Sequence, residues 1–285
     1  MSYLLWHQYC FTVPEKLTRE QKVKTKFELL SGAVALLLAG PVLADTTWTV
    51  ASNYGAISAG VTVAAYSNTG GTDNAANAAN NGALQTIQTA TWNNSWGGVY
   101  NQDACSSGSY CDLNENSSPE HSIDNDQRYD MVLLNFASAV KLTGVKLGWS
   151  QTDSDITVLA YTGAGDPTST GKLAGNTYDQ LVASKGWTAV GSYADVGTAS
   201  PVSTGATVYS SYWLIGAYNP LAGGDKGWSL GNDFVKLASV TGVVCVGGIG
   251  PNCGTPPGSV PEPGSLALVG FALMGMMGLR KRRQA

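Results

Sequence analysis

YDMVLLNF, residues 129–136, alternates its side chains with a period of two. Val132, Leu134 and Phe136 fall on one face of such a strand, because successive side chains of a strand point to opposite faces. The same alternation recurs in VKLGW, where the residues that share one face are Val145, Leu147 and Trp149. These two stretches predict neighbouring β-strands with a buried face.

Two further stretches, DITVLAY (155–161) and SYWLIGAY (211–218), are apolar at nearly every position. This pattern is typical of central strands, which are covered on both faces. The loops TGAGDPTSTG (162–171) and NPLAGGDKG (219–227) are rich in the turn-forming residues Gly, Pro and Asp. Short strands between such turns predict an all-β fold, with a single β-sandwich or jelly-roll-like domain over residues 45–246.

The composition restricts the classes of function. Only 13% of the 285 residues are charged, while 35 are glycine. Between Asp45 and Ser259 there are seven basic and 16 acidic residues, a net charge of −9. An acidic surface repels phosphate backbones, so we expect no nucleic-acid partner.

The N-terminal region resembles an export signal in its physical pattern. A basic stretch, residues 22–26, precedes an apolar run, residues 29–40, and small residues follow up to Ala44. This order predicts a signal peptide over residues 23–44, which signal peptidase cleaves between Ala44 and Asp45 after the secretion machinery engages it. A buried N-terminal helix is the alternative.

The first 22 residues carry no export pattern of their own. The signal would begin directly at Val23, which would be the start of the protein if its codon is an alternative initiator. We therefore expect translation to begin at Val23, with residues 1–22 outside the true protein.

The C-terminal tail has three parts. Pro261, Glu262 and Pro263 form an extended stretch, because proline fixes φ and lacks an N–H donor. Residues 265–279 are uncharged and mostly apolar, but as a helix they span only about 22 Å of a hydrocarbon core of about 30 Å. A basic cluster that should remain in the cytoplasm closes the chain and consists of Arg280, Lys281, Arg282 and Arg283.

This tail, residues 260–285, resembles the PEP-CTERM sorting signal of exosortase substrates. The resemblance implies a single-pass sorting helix that anchors the protein transiently in the inner membrane. It also implies that exosortase recognises the Pro-Glu-Pro site and releases a surface or matrix protein associated with exopolysaccharide and biofilm. SSPEHSIDNDQRYDMVLLNF (117–136) is similar to a group of exosortase-dependent surface proteins. For residues 260–285, a permanent single-pass anchor is the alternative interpretation.

The segment GGIGPNCGTPPGS (247–259) is predicted as a spacer before the tail.

Four cysteines remain after removal of the leader, and export exposes them to an oxidising compartment. Three pairings are possible. The local pairing is favoured because it closes short loops, and it joins Cys105 to Cys111 and Cys245 to Cys253. A zinc site is disfavoured, since CxxC spacing is absent.

Two clusters are candidate binding sites. Asp124, Asp126 and Asp130 are the candidates for a calcium site, although a solvated acidic loop is the favoured interpretation. Trp92, Trp96 and Tyr100 recur at four-residue intervals beside Asn and Gln, a composition suited to stacking and hydrogen bonding with sugars. Packing in the core is the alternative for these aromatics.

The sequence contains few candidates for catalysis or cofactor binding. His121 would be the one histidine of the mature chain, and no phosphate-binding glycine loop is present. We therefore predict an exported, non-enzymatic surface or matrix protein without a cofactor. A polysaccharide-binding module, assisted by calcium, is one alternative, and a secreted hydrolase is another.

Overall fold

The computed structural model describes residues 44–70, 85–101, 117–245 and 253. Strands make up 49% of the structure and helices 8%, which confirms the all-β prediction. The predicted signal peptide before Ala44, the spacer apart from Cys253, and the sorting segment 260–285 lie outside the described residues. Within the described ranges, every helix is too short or too polar to cross a bilayer.

Eleven antiparallel strands join one open sheet in the described part of the chain. They are β1 (Thr46–Thr49), β2 (Val61–Gly70), β3 (Thr86–Asn93), β4 (Gly98–Tyr100), β5 (Ile123–Asp124), β6 (Asp130–Thr152), β7 (Ile156–Tyr161), β8 (Trp187–Tyr193), β9 (Val202–Ser203), β10 (Ser210–Ala217) and β11 (Asp233–Val244). The main path runs β4-β3-β2-β6-β10-β7-β8, and β11 pairs with β1, β5 and β6. The strands thus form one connected sheet rather than the two separate sheets of the predicted sandwich.

The 23-residue strand β6 connects the two parts of this sheet. Its first half pairs with β2 and β10, and its second half pairs with β11 and β9. Side chains from both halves, including Val132 and Leu147, pack into the same larger core. The single strand β6 therefore pairs with strands in both parts of the sheet.

Two hydrophobic cores cover opposite faces of the middle strands. Ile156 and Val158 of β7 belong to the larger core, whereas Leu159 and Tyr161 of the same strand belong to the smaller one. β7 lies between β10 and β8, and β10 lies between β6 and β7. This arrangement confirms that DITVLAY and SYWLIGAY form central strands.

The helices are short and fill the periphery. Helix α1 (Tyr178–Ser184) buries Tyr178 and Leu181 in the smaller core, and its start is stabilised by Gln180 Oε1, which accepts the Thr177 N–H at 3.2 Å. Helix α2 (Pro220–Gly223) follows β10, and a 3₁₀ helix (Ser52–Tyr54) follows β1. The 3₁₀ helix contacts the turn between β3 and β4, where the first candidate site lies.

Candidate functional site

The three aromatics predicted to contact glycans do not share one surface. Trp92 pairs with Val99 and packs, partly buried, against the larger core. Tyr100 pairs with Thr91, the residue before Trp92 on β3, so its side chain points to the face opposite that of Trp92. There its ring stacks with His121. Trp96 lies on the turn between the two strands and is 51% exposed. Of the three, Trp96 is therefore the residue available for a ligand.

Exposure of Trp96 is unfavourable for the isolated protein. A tryptophan offers roughly 150–250 Å² of surface for burial, so leaving half of it in water forgoes about 2–3 kcal/mol of hydrophobic stabilisation. In the described ranges, Ile57 is the other large hydrophobic side chain that is similarly exposed. Tryptophan is among the residues enriched at binding sites, so Trp96 is a candidate for contact with a ligand.

Hydrogen bonds within the β3–β4 turn fix the position of Trp96. Asn93 Oδ1 accepts the N–H groups of Ser95 at 3.0 Å and of Trp96 at 3.1 Å. Gly97 then adopts a φ of 77°, and its N–H donates to the Asn93 carbonyl at 2.9 Å. Glycine is the residue that adopts this left-handed conformation without steric strain.

Further hydrogen bonds attach this turn to the rest of the domain. The Leu237 N–H of β11 donates to the Gly97 carbonyl at 2.8 Å. The Ser52 N–H of the 3₁₀ helix donates to the Asn94 carbonyl at 2.8 Å, and the Tyr54 hydroxyl donates to the Trp96 carbonyl at 3.2 Å. The exposed indole is therefore carried by a well-connected backbone, which lowers the entropy lost when a ligand binds.

A lysine ammonium lies between Trp96 and a second indole. Lys236 Nζ is 5.6 Å from the Trp96 ring centroid and 4.8 Å from that of Trp149. Both distances are within the range of a cation–π interaction. Lys236 is only 6% exposed, and this burial lowers its pKa because desolvation disfavours the charged form.

Trp149 corrects one sequence-based expectation. Alternation in VKLGW placed it with Val145 and Leu147 on the core face, yet it belongs to neither core. In the pairing of β6 with β11, Leu147 lies opposite Leu237 and Trp149 lies opposite Lys236, so Gly148 is an extra residue on β6. This bulge breaks the period of two and directs Trp149 toward Lys236.

Gly148 also allows a close aromatic contact. A Cβ atom at this position would lie 2.2 Å from Cζ of Tyr54, so the tyrosine ring rests directly on the glycine backbone. Tyr54 and Gly148 line a cleft of about 290 Å³, together with Lys146, Leu147, Thr198, Ala238 and Ser239. Tyr54 thus connects the cleft to the Trp96 turn. We call Trp96, Lys236, Trp149 and Tyr54 the aromatic site.

A second cluster joins three carboxylates at the nearer end of the β6–β11 pair, where Thr152 lies opposite Asp233. Carboxylate oxygens of Asp153, Asp155 and Asp233 lie within 4.8 Å of one another, the one such group among the described residues. Asp153 and Asp155 lie in the short connection from β6 to β7, and Asp233 begins β11. Oxygen atoms in this arrangement could hold a divalent cation.

Asp233 is fully buried and well hydrogen-bonded within this cluster. Its Oδ1 accepts the Asp155 N–H at 2.8 Å, and its Oδ2 accepts from Asn125 Nδ2 at 2.6 Å. Burial, with a further contribution from the neighbouring carboxylates Asp155 and Asp153, raises the pKa of Asp233 to about 7. The negative charges of the three carboxylates repel one another. Either a bound cation or protonation of Asp233 would reduce this repulsion.

The acidic residues predicted from sequence lie elsewhere and do not converge. Asp124 Oδ1 accepts the Asp126 N–H at 3.1 Å, as in a local turn. Asp130 Oδ1 accepts from Asn101 Nδ2 at 3.0 Å in a buried polar region. Their carboxylates do not form a group as close as the one around Asp233. The calcium prediction at these three residues therefore has no support from their geometry.

His121 does not form a catalytic pair with its neighbour. Its Nδ1 hydrogen-bonds the Ser117 carbonyl at 2.6 Å, while Ser122 Oγ is buried without a hydrogen-bond partner. A serine nucleophile requires a hydrogen bond to its general base. This part of the chain therefore lacks the geometry of a serine hydrolase.

Comparison with known families identifies the function of the tail. Residues 259–283 match the family model described as the PEP-CTERM protein-sorting motif. The chain carries a PEP-CTERM motif. No curated protein and no solved structure is detectably similar to the chain.

The PEP-CTERM match includes the functional parts predicted for the tail. Both the Pro261–Pro263 stretch and the basic cluster from Arg280 to Arg283 fall inside residues 259–283. The PEP-CTERM motif implies exosortase-dependent processing of a secreted protein that passes through the membrane. The match does not extend into the β domain, residues 45–246.

A disulfide lies just before the PEP-CTERM motif. Cys245, directly after β11, is bonded to Cys253, which is 4% exposed. This confirms one of the two predicted pairs. Cys105 and Cys111 lie outside the described residues, and their pairing stays a prediction.

Proposed function

We propose that this chain is an exported bacterial protein that exosortase releases at the Pro-Glu-Pro site, and that its β domain serves the cell surface or extracellular matrix without catalysis. The observation that carries the proposal is the sorting motif at residues 259–283. The association with exopolysaccharide and biofilm is part of the proposal and rests on the resemblance to exosortase substrates.

The physical properties of the tail support release rather than permanent anchoring. Residues 265–279 are too few to cross a bilayer comfortably as a helix, and Gly270, Gly275 and Gly278 lower helix stability further. The basic cluster at the end keeps the last residues on the cytoplasmic side during export. Such a segment delays the protein in the membrane long enough for a protease to act.

The mass of the protein recovered from the cell surface tests this proposal. We expect a chain that begins at Asp45 and ends near Pro261–Pro263. Pro263→Ala should leave the protein in the membrane fraction with its arginines attached, while Pro257→Ala in the spacer should not change processing. Recovery of surface protein that retains Arg280–Arg283 would contradict release by exosortase.

Polysaccharide binding is the second candidate function, and the exposed Trp96 favours it. An indole held by the hydrogen bonds described above offers an apolar face on which a sugar ring can stack. Binding to glycans without release of reducing ends would support a binding module. Release of reducing ends, abolished by a mutation in the β domain, would instead support the secreted hydrolase.

A further inference from the structure

We propose that the aromatic site and the adjoining cleft bind a sugar ring that carries a carboxylate, as in a uronic-acid polysaccharide. This inference rests on the second candidate function and specifies its ligand. It depends on three features of the same surface: an exposed indole, a cation held between indoles, and a cleft with a second lysine.

The exposed indole supplies the stacking surface. One side of Trp96 faces Lys236, and half of the residue remains in contact with water. The turn that presents Trp96 is hydrogen-bonded both to β11 and to the 3₁₀ helix. A pyranose ring with axial C–H groups on one face matches this flat apolar surface, and the fixed turn reduces the entropy lost on binding.

Lys236 supplies the charge that selects an anion. Within the described residues it makes no hydrogen bond and no ion pair, although only 6% of it is exposed. Its Nζ is not among the buried polar atoms that lack a partner, so the ammonium reaches water and its donors are accessible to a ligand. A carboxylate beside the stacked ring would satisfy these donors with charge-assisted hydrogen bonds.

The cleft extends the site along the same pair of strands. Lys146 lines it, and Lys146 also has no acidic partner in the described part of the chain. The cleft has a volume of about 290 Å³, which is near the lower limit of typical ligand pockets and suits a single sugar ring. Two of the seven basic residues between Asp45 and Ser259 therefore lie at one surface of an acidic protein.

An acidic polysaccharide fits these features better than an acidic peptide does. The peptide would use the lysines but would leave the Trp96 face without a matching ring. A neutral polysaccharide would use Trp96 but would leave Lys236 without a counter-charge. A polymer of carboxylated sugars uses both in one repeating unit.

Binding to three probes of equal length tests the inference. The probes are hexagalacturonate, maltohexaose and hexaglutamate, titrated into the full chain in detergent and followed by tryptophan fluorescence and calorimetry. We expect hexagalacturonate to bind at least tenfold more tightly than the other two, with an affinity that falls as salt rises. Trp96→Ala and Lys236→Gln should each raise its Kd at least tenfold.

Matched variants control for the loss of any tryptophan or lysine. Trp228→Ala removes a partly exposed indole that packs on Tyr218, and Lys226→Gln removes an exposed lysine. Both should keep the Kd within twofold of the original value. Circular dichroism of each variant verifies that the fold is intact, and Trp96→Ala provides the test even if Lys236→Gln fails to fold.

The outcomes separate this inference from the functions on which it rests. Equal binding of maltohexaose, unaffected by Lys236→Gln, would overturn the selection for carboxylates and leave polysaccharide binding in place. Equal binding of hexaglutamate would overturn recognition of a sugar. Binding of none of the probes would overturn the site itself, while the mass of the processed protein would still report independently on release by exosortase.

Discussion

Lys236 and Trp149 lie directly opposite each other on β11 and β6, and the lysine Nζ is 4.8 Å from the indole centroid. This pairing exists because Gly148 adds a residue to β6 and shifts the register between Lys236 and Leu237. A local irregularity in one strand thus creates the cationic centre of the aromatic site.

The pair should show measurable energetic coupling. In a double-mutant cycle with Lys236→Gln and Trp149→Ala, we expect a coupling of about 0.5–2 kcal/mol in the free energy of unfolding. Each single mutation already removes the cation–π contact, so the double mutant should lose less stability than the sum of the two single mutants. Urea denaturation of the four proteins measures it. Lys141 and Tyr209, at 5.9 Å, provide a weaker comparison pair. Additive effects of the two mutations would show that the contact contributes nothing to stability.

Substitution of Gly148 should disturb the Tyr54 ring. Gly148→Ala places a methyl group 2.2 Å from Cζ of Tyr54, so we expect a loss of about 1–3 kcal/mol in unfolding free energy. Tyr54→Ala should rescue part of this loss, since it removes the clash. Gly197→Ala is the matched control, because nothing lies within 4 Å of a Cβ at that position. A Gly148→Ala protein as stable as the Gly197→Ala protein would refute the close contact.

Asp233 should make the stability depend on pH. Its pKa is raised from 3.8 to about 7 in the folded protein, so between these values the folded state binds a proton that the unfolded state does not. The resulting stabilisation is complete below about pH 4 and is lost as the pH rises through about 7. We expect this group to contribute roughly 2–4 kcal/mol to the difference in unfolding free energy between pH 5 and pH 8.

Urea midpoints at several pH values measure this dependence. Asp233→Asn should flatten the change between pH 5 and pH 8, although its absolute stability falls because the amide cannot accept from both Asp155 and Asn125. Asp225→Asn, at an exposed aspartate, should retain the full dependence. A pH profile that is unchanged in Asp233→Asn would assign the effect to another group.

Reduction of the disulfide should destabilise the end of the sheet. Cys245 and Cys253 are eight residues apart, and closing a loop of this length contributes about 2–3 kcal/mol in the chain-entropy description. Cys253→Ser should therefore lower the thermal midpoint in oxidising buffer, and dithiothreitol should have a smaller additional effect on this variant than on the original protein. Equal midpoints with and without the bond would show that the strand end does not depend on it.

Peptide mapping tests the other predicted pair. In the exported protein, alkylation without reductant should label none of the four cysteines, and digestion should recover Cys105 and Cys111 in one linked fragment. A link between Cys105 and either Cys245 or Cys253 would contradict local pairing.

The strands could be predicted from sequence because their alternation is a local property. The side chains of 129–136 report directly on which faces are buried, and the uninterrupted apolar run in 155–161 reports on a central position. The connection of all strands into one sheet depends on pairing between distant residues. A single sequence carries no direct signal for such pairing.

The candidate sites were only partly predictable for the same reason. Trp96 stood out as an aromatic residue among amides, but its cationic partner lies 140 positions further along the chain. Asp153 and Asp155 are close in sequence, whereas Asp233 joins them only through the β6–β11 pairing. The extra residue at Gly148 inverts the expected side of Trp149, since a bulge changes the period without a strong sequence signature.

The Cys245–Cys253 bond also determines how far the folded domain can move before release. Fourteen residues separate Val244, the end of β11, from the start of the sorting match, and fully extended they would reach about 50 Å. Because the disulfide joins Cys245 to Cys253, residues 246–252 no longer add to the length of this connection. Five residues remain between Cys253 and Ser259, and fully extended they reach roughly 20 Å. In the proposed export route, formation of this disulfide would therefore shorten the distance between the β domain and the membrane surface while exosortase acts.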